Sequence, residues 1–371
     1  MSIIDEKWID DIWCKIKQKT ELTSLRMREQ MPSVCTDGKY NDSSDYLPCW
    51  TNGFWGGLNW LMYSATGDEV YKETAQFQEK WLDELFGQAD RTDHDVGFLW
   101  NILSGASYKI TGDLKSKNRN ILAANILAGR YNPVGGYIRA WNAPEREGCT
   151  IIDCMMNIPL LYWASKEIGD NRYKNIAINH ANKTMEYHIR PDGSVNHVCH
   201  FDTETGEFKE IRDGQGYACN SSWSRGQAWA IYGFVLSYVY TKDIKYLDTA
   251  KSVANYFIAA CCDDYLPKCD FRSPAQPIYF DTSAAMIAAC GLLEISENVF
   301  EFEGDMYKNA AMRFIKANVE KFGDWSENTD GLLGGSASAY HFGEKNVGFI
   351  YGDYFLIEAI QRLKGIYKLI W

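Results

Sequence analysis

Two aspartates, Asp95 and Asp153, each open a nearly apolar segment, one preceded by His94 and the other followed by Met155 and Met156. Paired carboxylates in one pocket can divide proton donation and charge stabilisation between them, which is the equipment for acid/base work on a sugar. An aspartate at a helix start is also the ordinary N-cap, worth about 1 kcal/mol. That ordinary role is the expectation for Asp281 and Asp353, and on composition alone both roles stay open for Asp95 and Asp153. The demands conflict, because a helix N-terminus lowers a carboxyl pKa. A general acid must keep its proton near neutral pH. Burial among Met155, Met156 and Trp, or the charge of the other aspartate, would raise the pKa again.

Further residues fall at equivalent segment starts: Trp50, Asn52 and Trp55; Ser224, Arg225 and Trp229; Thr282 beside Asp281; and Tyr351 beside Asp353. Trp and Tyr offer stacking faces and hydrogen-bond donors to sugar rings, and fill cores equally well. Arg225, in the run Trp-Ser-Arg-Gly-Gln-Ala-Trp, needs a partner wherever it is buried. A structural Asp would serve, and so would a substrate carboxylate gripped bidentately. His197 and His200 follow a turn at Arg190-Pro-Asp-Gly193, and Gln215 lies in Asp213-Gly-Gln-Gly216. Each of the three is either a site residue or plain loop polarity.

The elements that must carry these residues repeat. Thr66-Gly67-Asp68 recurs as Thr111-Gly112-Asp113, Ile168-Gly169-Asp170, Thr241-Lys242-Asp243 and Glu303-Gly304-Asp305. Gly suits a helix C-terminus and Asp the next N-cap, so each phrase predicts a tight turn between two helices. The segment before each turn is apolar nearly all round, as in Cys154–Ile168, which predicts a helix buried on every side. The segment after is amphipathic. In 244–258 the apolar positions Ile244, Leu247, Ala250, Val253, Ala254, Phe257 and Ile258 run at intervals of three and four. Inner helices are expected near 53–66, 95–110, 153–166, 225–240, 282–296 and 352–367. Outer helices are expected near 5–19, 69–86, 113–128, 171–188, 244–260 and 305–321. Six outer–inner pairs predict an all-α fold, a closed (α/α)6 toroid forming one domain over 1–371; an open solenoid would repeat in the same way. Inner helices then start at one rim, together with the long connections 129–152, 189–224, 261–281 and 322–350, where a site is expected.

The net charge of −11 and the absence of a basic stripe argue against a nucleic-acid partner. No apolar run approaches the ~20 residues of a membrane span. Eleven Cys without metal-ligand spacing, and an N-terminus without a leader pattern, lead to the expectation of a cytoplasmic protein and offer no metal pattern.

Seven motifs in order carry a resemblance. They are Trp50-Thr-Asn-Gly-Phe-Trp-x-Gly, His94-Asp95-Val-Gly-Phe, Thr150-Ile-Ile-Asp153-x-Met-Met-Asn157, Asp213-Gly-Gln215-Gly, Ser222-Trp-Ser-Arg225-Gly-Gln-Ala-Trp229, Asp281-Thr-Ser-Ala284 and Ile350-Tyr-Gly-Asp353-Tyr. With them the chain resembles the unsaturated glucuronyl hydrolases of glycoside hydrolase family 88. The resemblance implies hydration of the C4=C5 bond of a 4,5-unsaturated uronic acid at the non-reducing end of an oligosaccharide left by a lyase, chemistry for which no metal and no cofactor is expected. It implies Asp153 as general acid/base and Asp95 as the residue that positions sugar hydroxyls and tunes its partner. Trp50, His94, His197, Gln215, Arg225 and Trp229 would line the sugar site. The stretch Ala339-Tyr340-His341-Phe342-Gly343-Glu344-Lys345 is the candidate contact for the second sugar, with Tyr340 as a binding residue. The role of the 336–349 loop and the sulfation preference stay open, and so does the oligomeric state. The competing readings are an unsaturated rhamnogalacturonyl hydrolase acting on pectin fragments, a sugar epimerase and a non-catalytic sugar-binding protein.

Overall fold

The computed structural model describes residues 6–371. Among them twelve α-helices alternate between an outer and an inner ring. The outer ring holds α1 (Glu6–Arg26), α3 (Glu69–Leu82), α5 (Leu114–Gly129), α7 (Asn171–Tyr187), α9 (Ile244–Ala260) and α11 (Glu301–Phe322). The inner ring holds α2 (Asn52–Thr66), α4 (Ala106–Thr111) with the π-helix Gly97–Gly105 that leads into it, α6 (Pro159–Ile168), α8 (Ser224–Thr241), α10 (Thr282–Ser296) and α12 (Ile350–Leu363). Helix α12 packs against both α10 and α2, so the inner ring closes on itself, as a toroid does and an open solenoid does not.

The expected division of faces is present. Every residue of α8 from Ser224 to Ser237 is buried, and so is every residue of α10 from Thr282 to Ile295. In α9 only Tyr246, Leu247, Ala250, Val253, Ala254 and Phe257 are buried, one stripe at helical spacing, while Ile244 faces out. Four turns follow the repeated phrase. Gly67, Gly112, Gly169 and Lys242 close their helices in the left-handed conformation, and the side chains of Asp113, Asp170 and Asp243 accept backbone N–H groups of the next helix. The fifth phrase departs from the pattern. The outer helix begins earlier, at Glu301, so Gly304 lies inside α11 and packs close to Ser296.

Other boundaries also differ from the sequence reading: the first outer helix runs on to Arg26 instead of ending near 19, and the second stops at Leu82 instead of 86. The third inner helix begins only at Pro159, and Asp153 sits before it in a 3-10 turn, Ile152–Met156. The sixth ends at Leu363, and the chain then folds back beneath the ring. There the Trp371 indole is fully buried, stacks on Phe355 at 5.8 Å and donates to Glu358 Oε2 at 3.0 Å.

Among the described residues the connections also carry nine short strands, which helical periodicity does not reveal. Strands β1 (Pro32–Thr36), β2 (Lys39–Asp42), β8 (Ser336–Ala337) and β9 (Lys345–Phe349) form a sheet in the order β2-β1-β9-β8. Strands β3 (Tyr131–Asn132) and β4 (Tyr137–Ile138) pair alone, and β5 (Cys149–Ile151), β6 (Val198–Phe201) and β7 (Phe208–Arg212) form an antiparallel sheet. Among the described residues no helix is long and apolar enough to cross a membrane.

Candidate active site

Asp95 and Asp153 reach the same rim by different local devices. Asp95 sits in the turn before the π-helix, where its backbone carbonyl accepts Leu99 N–H at 3.1 Å and starts the helical ladder. Gly97 allows that helix to touch the next inner segment, since a Cβ there would lie 2.6 Å from Asn157 Cα. Asp153 is placed by the sheet. Strand β5 pairs with β6, the ladder continues as Ile152 N–H donating to His197 O at 3.1 Å, and Asp153 follows directly. His197 is thereby brought alongside, its Nε2 3.5 Å from Asp153 Oδ1.

Asn157 joins the two carboxylates. Its amide donates to Asp95 Oδ1 at 3.2 Å and to the Asp153 carbonyl at 3.3 Å, and its own oxygen accepts Phe98 N–H at 2.8 Å. Both side chains keep 15% of their surface open, while Asp153 Oδ1 itself is buried and makes no hydrogen bond within the protein. Burial pushes the Asp95 carboxyl up to about 7; His94 and the Asn157 amide pull it down, and Asp93 and Asp153 add to the rise. The conflict between helix start and proton retention is therefore resolved at Asp95 in favour of burial.

The two histidines are held in opposite senses. His94 Nδ1 lies 2.9 Å from the Ala140 carbonyl, and its Nε2 lies 3.3 Å from Asp95 Oδ1. His197 Nδ1 accepts the Gln215 backbone N–H at 3.0 Å, and its ring packs 4.2 Å from Trp223. Gly214 permits this approach, since a Cβ there would lie 2.0 Å from His197 Nδ1. His200, on β6, turns its Nδ1 towards Glu210 at 3.4 Å instead.

Beside His197 opens a cavity of about 480 Å³, bordered by Trp141, Arg146, Asp213, Gln215 and Phe342. Its size suits a sugar unit with a neighbour. Trp50 is partly exposed and packs on Tyr351 at 4.7 Å and Phe98 at 5.4 Å, making an aromatic floor at the rim. The loop expected to meet the second sugar is pinned to the site. Tyr340 N–H donates to Gln215 O at 2.8 Å, and Gln215 Nε2 donates to Ser338 O at 2.9 Å. Tyr340 packs on Tyr217 and Tyr279 with 8% of its surface open. Lys345 turns its ammonium onto the carbonyls of Phe342 and Gly343.

Two expected sugar-site residues take other places. Arg225 is 1% exposed, with Nη1 donating to Asp281 Oδ2 at 2.7 Å and to Ala337 O at 3.1 Å, and Nη2 donating to Ser338 O at 2.6 Å. Of its two open partners the structure holds the structural one, because the inner-helix position faces α10, strand β8 and the Ser338 carbonyl just after it. Trp229 is fully buried one layer beneath Trp50, against Phe98 at 5.1 Å and Phe355 at 5.7 Å. Asp281 caps α10 through Ala284 N–H, as expected, whereas Asp353 lies inside the first turn of α12 and, instead of capping that helix, accepts Leu332 N–H, Leu333 N–H and Tyr40 Oη–H from the connections packed on it. Asn157, Trp141 and Trp223 are the contributors that sequence reasoning did not assign. Asn157 was within reach, as part of the Asp153 motif, whereas Trp141 lies in a long loop that carries no periodic signal; Phe342 falls in the 339–345 stretch already expected to meet the second sugar.

Residues 23–268 match the family model Glycosyl Hydrolase Family 88. The chain is 37% identical over 356 residues to an unsaturated glucuronyl hydrolase of Bacillus sp. (strain GL1), covering 91% of each. It is 34% identical over 367 residues to an unsaturated chondroitin disaccharide hydrolase of Streptococcus pneumoniae, covering 96% of this chain and 92% of that one. A crystal structure of an unsaturated glucuronyl hydrolase from Bacillus sp. GL1 has a TM-score of 0.90 and 33% identity, covering 95% of this chain and 97% of that one. With two neighbouring aspartates on the rim of a helical toroid and matches over nearly its whole length, the chain belongs to glycosyl hydrolase family 88.

Proposed function

We propose that this enzyme hydrates the C4=C5 bond of a 4,5-unsaturated uronic acid at the non-reducing end of a glycosaminoglycan disaccharide. The observation that carries the reading is the aspartate pair: the buried Asp153 Oδ1 makes no hydrogen bond within the protein, with only His197 Nε2 3.5 Å away, and Asp95 is bound to the same Asn157 amide that touches the Asp153 backbone. Asp153 delivers a proton to C4. The enol ether becomes an oxocarbenium-like cation at C5, which the carboxylate just formed stabilises. Water adds its oxygen to C5 and returns a proton to Asp153. The hemiketal then opens, releasing the neighbouring sugar as an alcohol and the uronate as a keto acid.

In this reading Asp95 orients the sugar hydroxyls, Trp50 supports the ring, and His94, His197 and Gln215 surround it, while Tyr340 and the 336–349 loop meet the second sugar. Arg225 and Trp229 support the walls from behind. The test is ultraviolet absorbance of the conjugated C=C–COOH group with an unsaturated chondroitin disaccharide. Loss of absorbance that vanishes in Asp153→Asn is the expected result. Turnover by Asp153→Asn within about tenfold of the parent would remove Asp153 from the acid/base role. Turnover of an unsaturated pectin fragment in place of every glycosaminoglycan disaccharide would replace the substrate class.

A further inference from the structure

Thr150 lies three residues before Asp153, in the middle of strand β5, and is buried. Its hydroxyl oxygen lies 2.8 Å from Nε2 of a second buried residue, His188. His188 stands where outer helix α7 ends, and its N–H donates to Thr184 O at 2.9 Å. The other ring nitrogen, Nδ1, lies 2.8 Å from Asn196 O, while Asn196 N–H donates to His188 O at 2.7 Å. Asn196 directly precedes His197. One imidazole thus joins the strand that leads into Asp153 to the residue that leads into His197, and it joins both to the end of α7.

The hydrogens of this link follow from elementary chemistry. A carbonyl oxygen only accepts, so His188 Nδ1 carries a hydrogen. Burial pushes the ring down to about 4, so at neutral pH it holds no second proton. Nε2 is then a lone pair that accepts the Thr150 hydroxyl. Cys199 O, 3.4 Å from the same hydroxyl, is the longer alternative for that hydrogen. Both ring nitrogens are matched, as a buried polar link must be in order to hold its surroundings.

We infer that His188 is a positioning residue for the acid/base centre, setting through its two nitrogens the spacing between Asp153 and His197. The inference rests on the proposed role of Asp153. Its second support lies at the centre itself. Asp153 Oδ1 and His197 Nε2 are 3.5 Å apart, and neither atom makes a hydrogen bond within the protein, so their own contact does not hold them in place. The spacing comes from the segments behind them. The β5–β6 ladder sets how the two strands lie against each other, and Asn196 has a further tie to α7 through its amide, which donates to Tyr187 O at 2.9 Å. Strand β5 reaches the end of α7 through the Thr150 hydroxyl. Without that bond Asp153 shifts relative to the reacting carbon. Proton delivery falls steeply with misplacement, whereas binding is spread over the cavity walls.

The test is steady-state kinetics with the unsaturated chondroitin disaccharide on Thr150→Val, Thr150→Ser, His188→Asn and the Thr150→Val/His188→Asn double variant. Each kcat is expressed per folded molecule, from near-ultraviolet circular dichroism. Val keeps the shape of Thr and removes the hydroxyl; Asn keeps a donor in the place of Nδ1–H and removes Nε2. Each breaks the same bond from its own end. Thr150→Val and His188→Asn are expected to lower kcat at least about tenfold with KM within about threefold of the parent, and the double variant should lose no more than the worse single one. Thr150→Ser, which keeps the hydroxyl, should hold kcat within about threefold. A link that only stabilises the fold would lower Tm and leave kcat per folded molecule unchanged. Parent-like kcat in folded Thr150→Val, or additive losses in the double variant, overturns the proposal while an inactive Asp153→Asn leaves the hydration reading standing. The ¹⁵N shifts of the His188 ring in the parent need neither variant nor substrate: the neutral Nδ1–H form is expected, and a neutral Nε2–H form overturns the proposal even where no variant folds. Absence of turnover by the parent overturns the hydration reading, and this proposal with it.

Discussion

Asp95 carries a stability signature separable from turnover. Its carboxyl is pushed up to about 7 in the folded protein, against about 3.9 in an unfolded chain. Between about pH 4 and pH 7 the unfolded chain has released this proton and the native protein has not, so stability falls as pH rises across that window. The full penalty, reached above the folded pKa, is on the order of 4 kcal/mol as an upper bound. Asp95→Asn should flatten that slope and raise Tm at pH 8, measured by thermal unfolding in a pH series. Asp353, pushed up to about 6 by burial, contributes with the same sign in both proteins and cancels in the difference. Arg225 gives the opposite case. Removing it strands the buried Asp281 carboxylate and two carbonyls, so Arg225→Ala should lose about 3–5 kcal/mol of stability. Arg225→Lys should not restore it, because an ammonium lacks the fork that spans Asp281 and Ser338.

Among the elements, glycines set the spacing between aspartates. Gly97→Ala would press a methyl into Asn157, the residue that touches both Asp95 and the Asp153 backbone. The expected outcome is a fall in kcat of at least about tenfold, larger than any change in KM, measured by steady-state kinetics. The sequence showed the paired helices well, because the turn phrase and the alternation of all-apolar with amphipathic segments are local signals. It also exposed Asp95 and Asp153 as a pair. It did not show that Asp153 precedes its helix, since the placing strand β5 is three residues long and pairs with a strand far along the chain. The π-helix was equally hidden, because a continuous apolar run reads the same in either helical form. For Arg225 the sequence offered both a structural and a substrate partner, and only the position of Asp281 across the ring decides between them.

Across the whole molecule an aromatic column fills the axis, from Trp50 through Phe98, Trp229 and Phe355 to Trp371. Trp371→Ala would empty the base of that column and leave Glu358 without one donor, with an expected loss of about 3–5 kcal/mol by denaturant unfolding. The kcat should hold wherever the variant stays folded, since the Trp371 indole bonds to Glu358 and touches Phe98, Tyr232, Tyr354 and Phe355 rather than either aspartate. The column also has a kinetic meaning. A toroid with a filled axis is a blind alley, so whatever enters deepest leaves last. The sugar held nearer the mouth must depart before the keto acid can. Free keto acid should then inhibit competitively against substrate, while the released sugar should inhibit in a mixed pattern, so the filled axis would impose an order of exit on the two products.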